Sequence, residues 1–194
     1  MKPIDYSNHS GGAQGADMTW DEIGKKYGFE THIHWRPEHL SILDSEGHNN
    51  MLRAYIKAAE ALKRPHIFKY MEYCQRNWFQ AHHSEAVFAI SYIIAPGDKD
   101  KNNRKNETDR ETVAGGTGWA VEMAIQMGKP VNVFDMNKNK WYHWGYASQT
   151  FVEWPETPWL TETYAGIGAR VLTKQGREAI EEVYKKTLQL CSMP

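Results

Sequence analysis

Ser10-Gly11-Gly12-Ala13-Gln14-Gly15-Ala16-Asp17, Ala114-Gly115-Gly116-Thr117-Gly118 and Ala165-Gly166-Ile167-Gly168-Ala169-Arg170 each follow an apolar run and precede a helical pattern. A strand ending in glycines lets the backbone approach a phosphate, and the helix that follows offers free N–H groups and the positive end of its dipole. In a doubly wound parallel sheet, the loops at the carboxyl ends of the strands open on one edge and converge on one ligand. Three such loops predict an α/β fold with a mostly parallel sheet in three layers, and one site shared by all three.

Working outward, residues 4–9 read as the first strand and 14–27 as a helix that Gly28 terminates. Residues 29–35 alternate with period two and predict a strand. Helices follow at 49–63 and 69–83, the second with Met71, Cys74, Trp78 and Phe79 at helical spacing. Ala86-Val87-Phe88-Ala89-Ile90-Ser91-Tyr92-Ile93-Ile94 is the most apolar stretch and predicts a central strand covered on both faces. Residues 97–112 are almost devoid of apolar side chains and mix both charge signs, which predicts a mobile insertion loop, either a solvated excursion or a lid. The second glycine loop opens a helix to Met127, a buried strand follows at 131–135, and the aromatic-rich segment 137–158 predicts short strands or an aromatic cover. A last strand at 163–165 leads through the third loop into a helix at 173–190.

The chain of 194 residues suits one domain, and 41% hydrophobic with 12% aromatic residues is enough for a real core. A formal net charge of -1 argues against a nucleic-acid coat or a membrane-surface protein. Two cysteines, Cys74 and Cys191, have no CxxC spacing and suggest neither a disulfide framework nor a zinc knuckle. The opening Met1-Lys2-Pro3-Ile4-Asp5-Tyr6 lacks the apolar stretch of a secretion signal, so a cytoplasmic protein is expected. His32 and His34 share a strand face, with His9 as a possible neighbour, but no carboxylate or cysteine completes a ligand set; no metal and no cofactor are expected.

With its motifs placed, the chain resembles the SLOG superfamily of Rossmann-like proteins, which takes in cytokinin-activating phosphoribohydrolases and the DprA-like and YpsA-like branches. Residues 10–17 are similar to the family's SGGAxGAD loop, Arg76-Asn77 to its RN helix, and Gly115-Gly116-Thr117-Gly118-Trp119-Ala120-Val121-Glu122 to its GGxGTxxE signature. In DprA-like members a GIGSR loop comes before SGGAxGAD, whereas Gly166-Ile167-Gly168-Ala169-Arg170 stands near the C-terminus here. Joining the last helix to Met1 restores the usual order. The resemblance therefore implies a Rossmann-like fold in circularly permuted form, as in the YpsA-like branch, with the strand at 163–165 beside that at 4–9.

The resemblance also implies a nucleotide or nucleotide-derived small molecule, of ADP-ribose type, as ligand. Candidate binding residues are Ser10, Gly11, Gly12, Gly15, Asp17, Arg76, Asn77, Gly115, Gly116, Thr117, Gly118, Trp119, Gly166, Gly168 and Arg170. Guanidinium groups match phosphate with paired hydrogen bonds. Asp17 suits a helix cap as well as a ribose contact. Glu122 falls where the phosphoribohydrolases place the glutamate that acts on the N-glycosidic bond, with Arg76 as its catalytic companion. Trp119, however, stands where those enzymes have a threonine. A binding protein that senses or sequesters a nucleotide is thus the first expectation, a nucleotide N-glycosidic hydrolase the second, and an oxyanion carrier of molybdate type the third. Relatives are often dimers, and the aromatics from Trp141 to Trp159 offer an interface for a homodimer.

Overall fold

The computed structural model describes residues 6–34, 45–64 and 71–192; the expected strand and helix residues at 4–5, 35 and 69–70 lie outside this set. The elements are β1 (Ser7–Ser10), α1 (Ala16–Lys26), β2 (Glu30–Ile33), α2 (Ser45–Ala61), α3 (Met71–His83), β3 (Ala86–Ser91), β4 (Ile93–Ile94) and β5 (Thr112–Val113). They continue with α4 (Thr117–Gln126), β6 (Val131–Asp135), β7 (Lys140–Gly145), β8 (Thr150–Trp154), β9 (Thr163–Gly168) and α5 (Lys174–Cys191). Seven strands form one sheet in the order β2-β1-β9-β3-β6-β7-β8. The first five are parallel, and the β7-β8 hairpin adds an antiparallel edge.

Strand periodicity sorts the core onto two faces. Val87 and Ala89 of β3, with Ala165 and Ile167 of β9, pack beneath Tyr55, Phe79 and Met123 of α2, α3 and α4. Phe88, Ile90 and Tyr164 face the other way, onto Trp20 of α1 and Ile180 and Tyr184 of α5. The result is a three-layer, Rossmann-like α/β arrangement, and its doubly covered centre explains the unbroken apolar run in β3. Among the described residues no helix is long and apolar enough to cross a membrane.

β9 lies between β1 and β3, with Thr163 opposite Ser7 and Tyr164 opposite Asn8, which is the pairing expected for strands 163–165 and 4–9. The described ends of the chain also meet: the Tyr6 hydroxyl lies 3.3 Å from Cys191 Sγ. Gly28 and Gly128, at φ 82° and 70°, terminate their helices as the sequence predicts.

Three expectations are revised. The run 86–94 divides at Tyr92, because the Ser91 carbonyl accepts the Met136 N–H where β6 ends, leaving Ile93 and Ile94 to pair antiparallel with Val113 and Thr112. The 97–112 segment is not a structureless insert: Asn106 Nδ2 donates to the carbonyls of Ile94 and Arg110, both at 2.8 Å, and Asp100 Oδ1 accepts the N–H groups of Asn102 and Arg104. This folded excursion forms a lobe on the domain. Finally, Trp141 and Trp144 are buried within the sheet layers, so only Trp154 and Trp159 of the expected aromatic surface are exposed tryptophans.

Candidate functional site

The carboxyl ends of β1, β9 and β3 open on a cleft of about 480 Å³, walled by α3, the start of α4, the third glycine loop and the lobe. This is where a doubly wound sheet accepts a ligand. Of the residues expected to form a site, Asp17, Arg76, Asn77, Gly115, Gly116, Thr117, Trp119, Gly168 and Arg170 line the cleft.

The first loop serves mainly as scaffold. Ser10 is fully buried and its hydroxyl accepts the Gly12 N–H at 3.1 Å. Gly12 and Gly15 adopt φ 62° and 100°. At Gly15 a Cβ would stand 2.4 Å from the Ala169 carbonyl oxygen, so glycine is what allows the first and third loops to touch there. Gly11 has a similar duty, since a Cβ there would come within 2.7 Å of Arg76 Nε and 2.8 Å of Asp17 Oδ2. Gly166 lies inside β9 rather than in the loop, with Trp20 packed on it, and its N–H donates to Asn8 Oδ1 at 2.9 Å. Gly118 presses against the Val113 carbonyl. None of these six residues lines the cleft.

Asp17 is 5% exposed and does not cap α1; it joins two loops, with Oδ1 accepting the Gly168 N–H at 3.2 Å. Burial pushes its carboxyl up to about 6, against the opposing pull of the Arg76 guanidinium and of N–H groups from Gly168, Ala13 and Gly11. Arg76 lies beside it, one face toward the Tyr73 ring, with a buried Nε that has no hydrogen-bond partner among the described residues. One helical turn on, Gln80 is 1% exposed, lines the same cleft, and likewise has a buried, unpartnered Nε2. The i, i+4 spacing puts both groups on one face of α3. Sequence reading missed Gln80, although that spacing from Arg76 was an available signal.

The second glycine loop is held from below. Asn77 Nδ2 donates to the Gly116 carbonyl at 3.2 Å. Arg64, another residue missed at the sequence level, donates to the carbonyls of Gly115 at 2.8 Å and Val113 at 3.2 Å. Burial, and then the charge of Arg104, pull the Arg64 guanidinium down to about 10. Trp119 borders the cleft but is only 5% exposed, packed on Tyr55 with ring centroids 5.2 Å apart. Its expected base-stacking face is therefore largely occupied by the protein.

Glu122 is not brought to Arg76. It does not line the cleft; Arg110 Nη2 donates to Oε2 at 2.7 Å and Gln126 Nε2 to Oε1 at 3.1 Å. Arg110 in turn stacks 5.0 Å over the Trp144 ring. The catalytic role carried over for Glu122 thus has no geometric support: the side chain fastens the lobe to α4.

Histidines gather elsewhere, at the β1-β2 edge. His9 Nδ1 and His34 Nε2 are 3.0 Å apart, and the rings of His32 and His83 lie 5.5 and 5.6 Å from His9. Burial, with the neighbouring His83, His32 and Lys129, lowers His9 to about 4. Among the described residues no group of three or more histidine, cysteine, aspartate or glutamate side chains is arranged to hold a metal ion. Cys74 borders the cleft as a buried thiol, pushed up to about 12 by its burial.

Comparison with known proteins adds no relative: no family model, curated protein or solved structure matches this chain.

Proposed function

We propose that this protein binds a nucleotide or a nucleotide-derived, ADP-ribose-like molecule in the cleft, and acts by binding rather than by catalysis. The observation that carries the reading is a cleft at the carboxyl ends of the parallel strands, rimmed by glycine loops and lined by the donors Arg76, Gln80 and Arg170. Guanidinium groups match phosphate oxygens with paired hydrogen bonds, and an amide beside them suits a neutral polar group of the same ligand. The close pairing of β1 with β9 and the meeting of Tyr6 with Cys191 support a circularly permuted SLOG-type protein.

Hydrolysis of an N-glycosidic bond needs a carboxylate beside the ribose. Glu122 is engaged by Arg110, Asp17 by the loop N–H groups, and Asp100 by the lobe backbone, so binding fits these groups better. An oxyanion such as molybdate would meet the same donors but would fill little of a 480 Å³ cleft. The test is thermal stabilisation of the full chain by AMP, ADP, ADP-ribose and molybdate, each followed by product analysis. Stabilisation by a nucleotide that is recovered unchanged, and lost in Arg76→Ala, is expected. Turnover, stabilisation by molybdate alone, or no stabilisation by any of the four would overturn the proposal.

A further inference from the structure

The lobe supplies the cleft with charge that the glycine loops do not need. It leaves from the end of β3 through β4 and returns by β5 into the second glycine loop, with β9 separating it from the first. Asp100 has a side chain only 6% exposed; besides the two N–H groups on Oδ1, its Oδ2 stands 3.4 Å from Arg104 Nε. That network builds the turn in advance and sets Lys101 and Arg104 on the wall of the cleft. Lys101 Nζ is further positioned by the Tyr92 hydroxyl. At the base, Asn106 and the Arg110–Glu122 pair hold the lobe to the domain.

Charge is unbalanced at this end. Among the residues that line the cleft, the cations Arg76, Lys101, Arg104 and Arg170 outnumber the carboxylates Asp17 and Asp100. The floor between them is open: a Cβ on Gly115 or Gly116 would meet nothing within 4 Å. Lys101 and Arg104 come from the lobe, Arg76 from α3 and Arg170 from the third loop. Cations contributed by separate elements around one cleft suit a ligand with two linked anionic groups.

We propose that Lys101 and Arg104 bind a second phosphate, so that the lobe makes the cleft selective for nucleoside diphosphate-type ligands over monophosphates. This rests on the nucleotide reading above. The test is calorimetric titration of AMP, ADP and ADP-ribose into the full-length protein and its Lys101→Ala/Arg104→Ala variant. The Arg104 side chain is 51% exposed, so the variant is expected to fold, and its melting temperature verifies this. The parent is expected to prefer ADP and ADP-ribose over AMP by about tenfold or more, given the strength of hydrogen bonds to charged groups. The variant is expected to lose that preference while its AMP affinity changes less than about twofold, and Lys101→Arg is expected to keep the preference. A parent that binds AMP as tightly as ADP, or a variant that weakens both alike, overturns the lobe's role and leaves nucleotide binding standing. A parent that binds none of the three overturns the nucleotide reading itself.

Discussion

Replacing Glu122 with leucine separates a structural from a catalytic role. Its carboxylate is 4% exposed and 2.7 Å from Arg110, which is itself 19% exposed, so the substitution strands a mostly buried guanidinium. Removing one member of a buried pair typically costs about 3–5 kcal/mol. Arg110 keeps some access to water and its contact with Trp144, so the lower end applies, about 3 kcal/mol. For a domain of this size that lowers the melting temperature by about 6–12 °C. The double replacement Arg110→Met/Glu122→Leu removes both charges and is expected to recover most of the loss. Urea denaturation followed by tryptophan fluorescence measures all three proteins, with nucleotide affinity titrated in parallel. The milder Glu122→Gln is expected to bind ligand like the parent, because the side chain does not line the cleft. A Glu122→Leu protein within about 0.5 kcal/mol of the parent, or a double variant no more stable than the single, would refute the reasoning.

Two further outcomes follow from the loops and the histidines. Gly15→Ala is expected to cost about 3 kcal/mol or more, since φ is 100° and the Cβ meets backbone of the third loop at 2.4 Å, and to abolish ligand binding. Gly97→Ala, at φ 84° with nothing within 4 Å, is expected to cost only about 1–2 kcal/mol; equal losses in denaturation midpoints would count against the loop contact. Asp17 and His9 pull stability in opposite directions over the same pH range. Asp17 rises from 3.8 to about 6 on folding, so its contribution is fully present below 3.8 and lost as pH climbs through 6. His9 falls from 6.5 to about 4, so its contribution is present above 6.5 and lost as pH falls toward 4, with His82 and His83 lowered in the same sense. Between pH 6.5 and 4, Asp17→Asn is expected to lose stability more steeply than the parent on acidification, and His9→Gln less steeply; parallel curves would contradict both shifts.

The apolar stretch that holds β3, the glycines after α1 and α4, and the order of strand, loop and helix were legible because they depend on local backbone rules and local composition. The same is true of the cleft's position, which follows from parallel strands ending together. Gln80 was missed because it sits on a helix otherwise read for its apolar face, and Arg64 because an arginine before a proline carries no spacing signal. The partner of Glu122 was not legible for a geometric reason: its place in a glycine-rich motif says nothing about which side of α4 faces the cleft, and in the structure it meets Arg110.

Local sequence thus determined that three glycine loops would gather at one edge of a parallel sheet, since glycine's φ freedom and strand-to-helix turns act over a few residues. Which of those glycines touch each other and which face open space was a tertiary matter. Gly15 and Gly166 pack against Ala169 and Trp20, while Gly115 and Gly116 remain open. The lobe shows the same division. Its polar composition announced an excursion, but only the long-range partners Ile94 and Glu122 made it a fixed wall of the cleft, because burying Asn106 and Arg110 required hydrogen-bond partners far away in sequence.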